Sequence, residues 1–413
     1  MEEAGAGNTA EEGRRGTSRA SVPLILLGLM TFAMGQTLLF AVGGPIVREI
    51  GLSELHMGSI ISLSAVAYTI AVPVWGRLSD RLGRVRPIAW GLTGYALTSL
   101  AFAGAMEAGM TGAVLPLTAF GMLIGIRMTL SLASGGIQPS ATAYMADITK
   151  VENRSGGVAL VGAAFGFGSV AGPLFGGLLS SFGLLVPIYA SAVLALMAAS
   201  VIGLFVKEPV RADTGEPKAK LKAFDARILP YVLMVLLLYV VVAILQQTSA
   251  FYFQDMFSLT SAETARNVGY AIGALAVGML LAQGVVAGRG RLAPPVLLRA
   301  GSVIYLAALV AISLAADIWP LVAAYGALGV GAGLLTPGIM SSASIAVSAD
   351  EQGAVAGVVG AGMGAAYIFG PVLGTGLYEL DPKYPFMLTI ALAALLLLAA
   401  WRRRVASGVA APA

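Results

Sequence analysis

The sequence has no cysteine and a single histidine, His56, in 413 residues. Disulfides, thiolate chemistry and metal sites built on clustered His or Cys are therefore excluded. Charge is scarce too. Asp, Glu, Lys and Arg make up 11% of the chain, against roughly 25% in soluble globular domains. A water-facing surface of this size cannot be built from 25 basic and 21 acidic residues. The apolar stretches hold no acid pair and no nucleotide-binding loop, so no catalytic residue, metal or cofactor is expected, and no nucleic-acid partner. What is abundant is apolar: 58% of residues are hydrophobic and 53 are glycine. The implied solvent is the lipid bilayer, in which small residues let helices approach closely.

A spanning helix needs about 20 mostly apolar residues. Twelve such stretches are predicted, near 22–45, 56–75, 88–106, 112–146, 155–182, 184–206, 228–253, 264–287, 296–315, 319–347, 353–380 and 384–401. The fourth is long and contains Arg127 and Pro139, which predicts one bent helix rather than two. The fold class is thus an all-α polytopic membrane protein. Residues 1–21 read as a polar, disordered cytoplasmic tail, and a cleaved signal peptide is not expected. A six-helix bundle over 22–206, a charged linker over 207–227, a second bundle over 228–402 and a tail over 403–413 complete the organisation.

Helices alternate in direction, so both tails and the even-numbered gaps share one side. Twenty-one of the 25 Lys and Arg fall there. They include Arg77, Arg81, Arg84 and Arg86 after the second span, and Lys207, Arg211, Lys218, Lys220, Lys222 and Arg227 in the linker. The opposite side has Arg48, Arg266 and Lys383. The positive-inside rule then makes both termini and the linker cytoplasmic. An odd number of spans would scramble this partition.

The chain also repeats itself. Pro139 and Pro173 are 34 residues apart, as are Pro337 and Pro371, and the two pairs are offset by 198. Gly135/Gly333, Gly166/Gly364 and Gly176/Gly374 share that offset. Spans four and five therefore correspond to ten and eleven. A six-helix offset preserves direction, giving parallel halves, a transporter architecture with the substrate site between the repeats.

Between spans two and three the chain reads Gly76-Arg77-Leu78-Ser79-Asp80-Arg81-Leu82-Gly83-Arg84-Val85-Arg86-Pro87. This resembles the loop signature of the major facilitator superfamily, G-x-x-x-D-R-x-G-R-[RK], with Val85 in place of the second base. The resemblance implies a twelve-helix fold of two pseudo-symmetric bundles. It also implies a conformational gate at Gly76, Asp80, Arg81, Gly83 and Arg84, in which the Asp lies near the start of the eleventh helix and clamps the cytoplasmic side. The later Gly288-Arg289-Gly290-Arg291 is its degenerate counterpart. Gly168, Gly172, Pro173, Gly176 and Gly177 resemble the antiporter motif G-x-x-x-G-P-x-x-G-G of the drug:proton antiporter branch. Ala143 to Ile148 and the following glycine-rich stretch look like tetracycline efflux proteins. Arg127 stands where that branch has R-x-x-Q-G, but Met-Thr-Leu-Ser follows it, a departure from the branch.

A charge inside a helix bundle is functional by default, and Arg127 is the clear case. No acidic residue falls at mid-helix, so coupling candidates are Arg127 and an end carboxylate, Asp255. Gln36, Tyr68, Gln138, Gln246, Gln247, Phe251 and Tyr252 are candidates for a substrate cavity, because polar groups facing lipid are costly. Interhelical bonding, and an interfacial aromatic belt for Phe251 to Phe253, are the alternatives. The expected protein is a monomeric secondary transporter of a bacterial inner membrane, exporting small amphipathic compounds in multidrug-resistance fashion by alternating access. It would draw on the proton gradient, with protons, lipid and a small molecule as its partners. Two rival readings stay open. One is a proton-coupled or facilitative carrier of a metabolite or organic anion; the other is a membrane-embedded enzyme or receptor. The missing central carboxylate argues for a neutral or anionic substrate.

Overall fold

A computed structural model describes residues 21–149, 154–209, 225–289, 292–348 and 351–402. The N-terminal tail, most of the linker, the Gly290-Arg291 pair and residues 403–413 lie outside the described residues, as do the expectations that fall on them. Among the described residues, twelve helices are long and apolar enough to cross a membrane: Val22–Ile50, Glu54–Leu82, Val85–Met110, Pro116–Ile148, Gly156–Phe182, Val186–Phe205, Leu229–Phe257, Ser261–Gly288, Pro294–Leu314, Ile318–Ile345, Gln352–Leu380 and Tyr384–Arg402. They match the stretches read from hydropathy one for one, because a chain in lipid must satisfy its backbone groups within each segment.

Two spans are interrupted. The fourth consists of Pro116–Ser134 and Ile137–Ile148, parted at Gly135 and Gly136. Pro139 explains the break: it has no N–H, and its ring would collide with the carbonyl four residues back, that of Gly135. The first span consists of Val22–Thr37 and Leu39–Ile50. Its break at Leu38 has no Gly or Pro beside it. Thr37 instead bonds across to the fifth span, as described below.

By packing, the chain groups into two compact units, one within Met1–Leu39 and Leu63–Gly215, the other within Phe40–Ser62 and Glu216–Ala413. Residues 40–62, counted with the first bundle by sequence, thus pack with spans of the second. In unit one, Ile25, Leu29, Phe32, Leu92, Tyr95, Leu130, Tyr144 and Ile202 form one buried cluster from the first, third, fourth and sixth spans. Lipid is as apolar as these side chains, so close packing rather than water exclusion holds such helices together.

The internal repeat appears as repeated packing. A side chain at Gly135 would meet Ala71 of the second span at 2.6 Å, and one at Gly333 would meet Met279 and Ala282 of the eighth at 2.5 and 2.8 Å. Likewise Gly91 lies against Ile137, and Gly301 against Leu335. Ile137 and Leu335 are again 198 positions apart. Each unit therefore seats its fourth or tenth span on small residues, with Gly135 and Gly333 at matched positions.

Candidate functional site

The loop after the second span is tied down at both ends. Gly83 adopts φ +95°, a left-handed conformation open to glycine, and its N–H donates to the Ser79 carbonyl at 3.1 Å, closing the helix. A Cβ there would strike the Glu208 carboxylate. Glu208 accepts the backbone N–H groups of Arg84 and Val85, the latter at 3.1 Å. It thus places an anion on the otherwise unpaired donors at the start of the third span. The Arg84 guanidinium donates to Asp80 at 2.6 Å and to Asp147 at 3.0 Å. Burial works against its charge, but these two carboxylates outweigh burial and raise its pKa. The gate motif is therefore organised around Arg84, with exposed Asp80 on one side and the half-buried end of the fourth span on the other. Asp80 pairs with Arg84 here, Arg81 is exposed, and Gly76 borders open space. Asp147 and Glu208, acids that sequence reading left without a role, are the missing partners; an acid at each neighbouring helix end was the available signal.

At the start of the eleventh span, Glu351 holds Arg227 of the linker's end through two bonds of 2.9 Å. Arg227 and the Ser348 hydroxyl together draw the Glu351 carboxyl down to about 2.

The fifth-span motif lies flat on the first span. Gly168 faces the Met30 carbonyl and Gly172 faces Thr37 Oγ1 and the Met34 carbonyl, too close for any side chain; a Cβ at Gly176 would sit 2.9 Å from the Leu38 carbonyl. Pro173 has no N–H to give the Ser169 carbonyl, and Thr37 Oγ1 donates to that carbonyl at 3.2 Å. Gly177 accepts the Ser180 hydroxyl at 2.7 Å, ending the span. The break in the first span thus faces the proline of the fifth. The repeat has its parallel: a Cβ at Gly370 or Gly374 of the eleventh span would sit 2.6 Å from Ala243 or 3.0 Å from Ile244 of the seventh.

Of the cavity and coupling candidates, the structure brings Gln36 and Arg127 together. Arg127 is buried at 7% exposure. One guanidinium nitrogen donates to Gln36 Oε1 at 3.0 Å, and the group stands 5.8 Å over the Phe102 ring. Its Nε has no hydrogen-bond partner. Tyr68 packs against the buried cluster of the same unit. Gln138 is half-buried, and its backbone carbonyl accepts from Thr142. In unit two, Gln246 accepts from Tyr367 at 3.2 Å, and Gln247 is buried with its side-chain nitrogen unpaired.

Phe251 is fully buried. It lies under the Arg48 guanidinium at 5.0 Å and beside Tyr378 at 5.9 Å. Tyr252 packs on Phe386 at 4.5 Å. Asp255 takes two bonds from Arg48, of 2.5 and 2.9 Å, and one of 2.8 Å from Tyr378. Arg48 also reaches Glu54 at 2.5 Å, and Glu379 accepts the Leu55 N–H at 2.9 Å. This network joins the end of the first span and the start of the second to the C-terminal ends of the seventh and eleventh. Sequence reading recorded Arg48 only as a positive charge on the sparse side, since Asp255 is 207 residues away.

Twelve spans, a doubled packing scheme and polar groups held inside apolar helices define a membrane transporter built from two repeats. The family model of the Major Facilitator Superfamily matches residues 25–315 and 268–412, and the chain belongs to that superfamily. It is 26% identical over 392 residues to Multidrug resistance protein 1 of Bacillus subtilis (strain 168), covering 92% of this chain and 96% of that one. It is 28% identical over 386 residues to Tetracycline resistance protein, class G, of Vibrio anguillarum, covering 88% and 91%. In fold it is similar to a bacterial homologue of the human lysosomal transporter Spinster in an inward-facing and occupied conformation, with a TM-score of 0.74 at 15% identity over 93% of this chain and 96% of that one.

Proposed function

We propose that this transporter exports small amphipathic compounds, as the names of its multidrug and tetracycline resistance relatives suggest, in exchange for protons. It would work by alternating access, as a monomer, in a bacterial cytoplasmic membrane with both termini and the linker inside. The carrying observation is the fifth-span glycine face, with Pro173 opposite the break of the first span. A flat helix–helix contact of this kind can slide or rock without unpacking a knobbed surface. The Asp80–Arg84–Asp147 cluster serves as the cytoplasmic gate. Asp255 is the coupling carboxylate: a proton arriving from outside cancels its charge and weakens its hold on Arg48, which links proton entry to opening. Arg127 is the second charged group on the route.

The test is transport into everted vesicles energised by a proton gradient. Uphill accumulation of an amphipathic dye that collapses on adding a protonophore is the expected result. Proton-independent counterflow of a single metabolite would sink the export reading and favour the carrier alternative.

A further inference from the structure

Arg127 is the one buried charged side chain among the described residues, and no carboxylate pairs with it there. It lies eleven residues after Pro116, about 16 Å along the helix at ~1.5 Å per residue. That is roughly half the depth of a ~30 Å hydrocarbon layer. Guanidinium stays charged in any protein setting, and a buried charge without a counter-ion is costly. The Gln36 carbonyl offers a dipole and Phe102 a ring face, but the buried Nε donor has no hydrogen-bond partner.

The second repeat supplies a built-in control. Position 127 maps by the 198-residue offset onto Tyr325. Tyr325 is equally buried, and its hydroxyl is paired with Ser249 of the seventh span at 2.6 Å. Both units thus tie this position of the fourth or tenth span to the first or seventh by a polar contact, though Gln36 and Ser249 are not themselves matched positions. Unit two completes its contact internally with neutral groups. Unit one places a full positive charge there and leaves a donor free.

We propose that Arg127 is the docking point for the anionic group of the cargo, and that the cargo class is amphipathic organic acids. This rests on the transport reading above. A carboxylate or sulfonate accepts from Nε and a terminal nitrogen of one guanidinium in the parallel two-bond geometry that arginine favours. The Phe102 ring then offers an apolar wall to the body of the molecule. Cationic cargo is disfavoured at this point, because like charges would meet in a medium of low dielectric constant.

The purified full-length protein is tested in nanodiscs by thermal shift with ring-matched probes, 2-naphthoate and 2-naphthalenesulfonate against 2-naphthylmethylammonium. The acids are expected to raise the Tm of the wild type, and the ammonium probe is not. Arg127→Gln should weaken acid binding at least tenfold, and Arg127→Lys should restore part of it. The proposal is overturned if the ammonium probe binds as well as the acids, if no acid binds, or if Arg127→Gln binds them like the wild type. Should Arg127→Gln fail to fold, the wild-type comparison of acid and ammonium decides alone. Uptake of labelled 2-naphthoate and of the labelled ammonium probe into proteoliposomes under an imposed proton gradient separates the two levels. Binding without transport overturns the export reading and leaves the site; transport of the ammonium probe alone overturns the site and leaves the export reading.

Discussion

Replacing Asp255 with Asn should loosen the end of the protein at which residues 40–62 pack, and the size of the effect can be worked from the contacts. Arg48 holds Asp255 through two bonds of 2.5 and 2.9 Å, and Tyr378 adds a third of 2.8 Å. Side-chain exposure is 24% for Arg48 and 44% for Asp255, so the charge attraction is partly screened. Exposed pairs contribute ~0.2–1 kcal/mol, and hydrogen bonds to charged groups ~1.5–3 kcal/mol. Asn keeps one acceptor and loses the charge, which puts the loss at about 1–2 kcal/mol. Under the proposed export cycle these contacts break when this end opens, so the whole loss falls on the shut state. At about 1.4 kcal/mol per tenfold, the open population should rise roughly 5- to 30-fold. The chain has no cysteine, so a single introduced thiol reports without background. Ser62→Cys suits the purpose: Ser62 is buried, and its hydroxyl accepts the Val372 N–H at 3.3 Å on the eleventh span. Its labelling by a membrane-impermeant maleimide from outside should accelerate by the same factor in the Asp255→Asn background. Asp381→Asn, whose carboxylate serves only the nearby Lys383 N–H, is the control. An unchanged labelling rate, or an equal rise with the control, would refute the reasoning.

Three further outcomes are expected. Gly172→Ala drives a methyl into Thr37 and the Met34 carbonyl, whereas Gly166→Ala points into open space; overpacking costs ~1–3 kcal/mol, so the first should lower Tm in detergent and the second should not. Glu208→Ala removes the acceptor for the Arg84 and Val85 N–H groups and should cost about 1 kcal/mol of stability, the usual value of a helix N-cap; Asp80→Asn should leave stability near that of the wild type and impair transport in everted vesicles. The Glu351 carboxyl lies at about 2 in the folded chain against an ordinary 4.5, so its pairing with Arg227 stabilises fully above pH 4.5 and is lost as pH falls toward 2. A pH series of Tm for Glu351→Gln against the wild type should converge at the acid end; a difference that grows there would reverse the sign.

The spans and the repeat were legible because lipid imposes them locally. Each helix must satisfy its own backbone, and Pro139 breaks the fourth span through a rule that reaches only four residues back. The break at Leu38 was not legible, since no Gly or Pro marks it and the contact beside it, from Thr37 to the Ser169 carbonyl, is tertiary. The loop signature was legible from five positions in one stretch, yet Arg84 also pairs with Asp147, and the cap is Glu208. Neither partner follows from the loop's own spacing. Arg48 shows the limit most sharply. Charge counting assigned it a side of the membrane, but its partners lie on two other spans, Glu54 on the second and Asp255 on the seventh.

The repeat also indicates where to look for function. Gly135 and Gly333, Ile137 and Leu335, and the Gly172/Gly176 and Gly370/Gly374 pairs perform the same packing in each unit. A duplicated scaffold needs those positions to stay alike, so they carry geometry rather than selectivity. Selectivity belongs where matched positions differ while the surrounding packing is kept. Arg127 and Tyr325 are such a pair: matched positions, both buried and each bonded to a neighbouring span, but with a full charge on one side only. Exchanging them tests this directly. Arg127→Tyr should be tolerated by the fold, because the second unit already accommodates tyrosine at this register, and it should abolish acid binding. If that variant folds and still binds 2-naphthoate, the asymmetry of the repeats has no part in choosing the cargo.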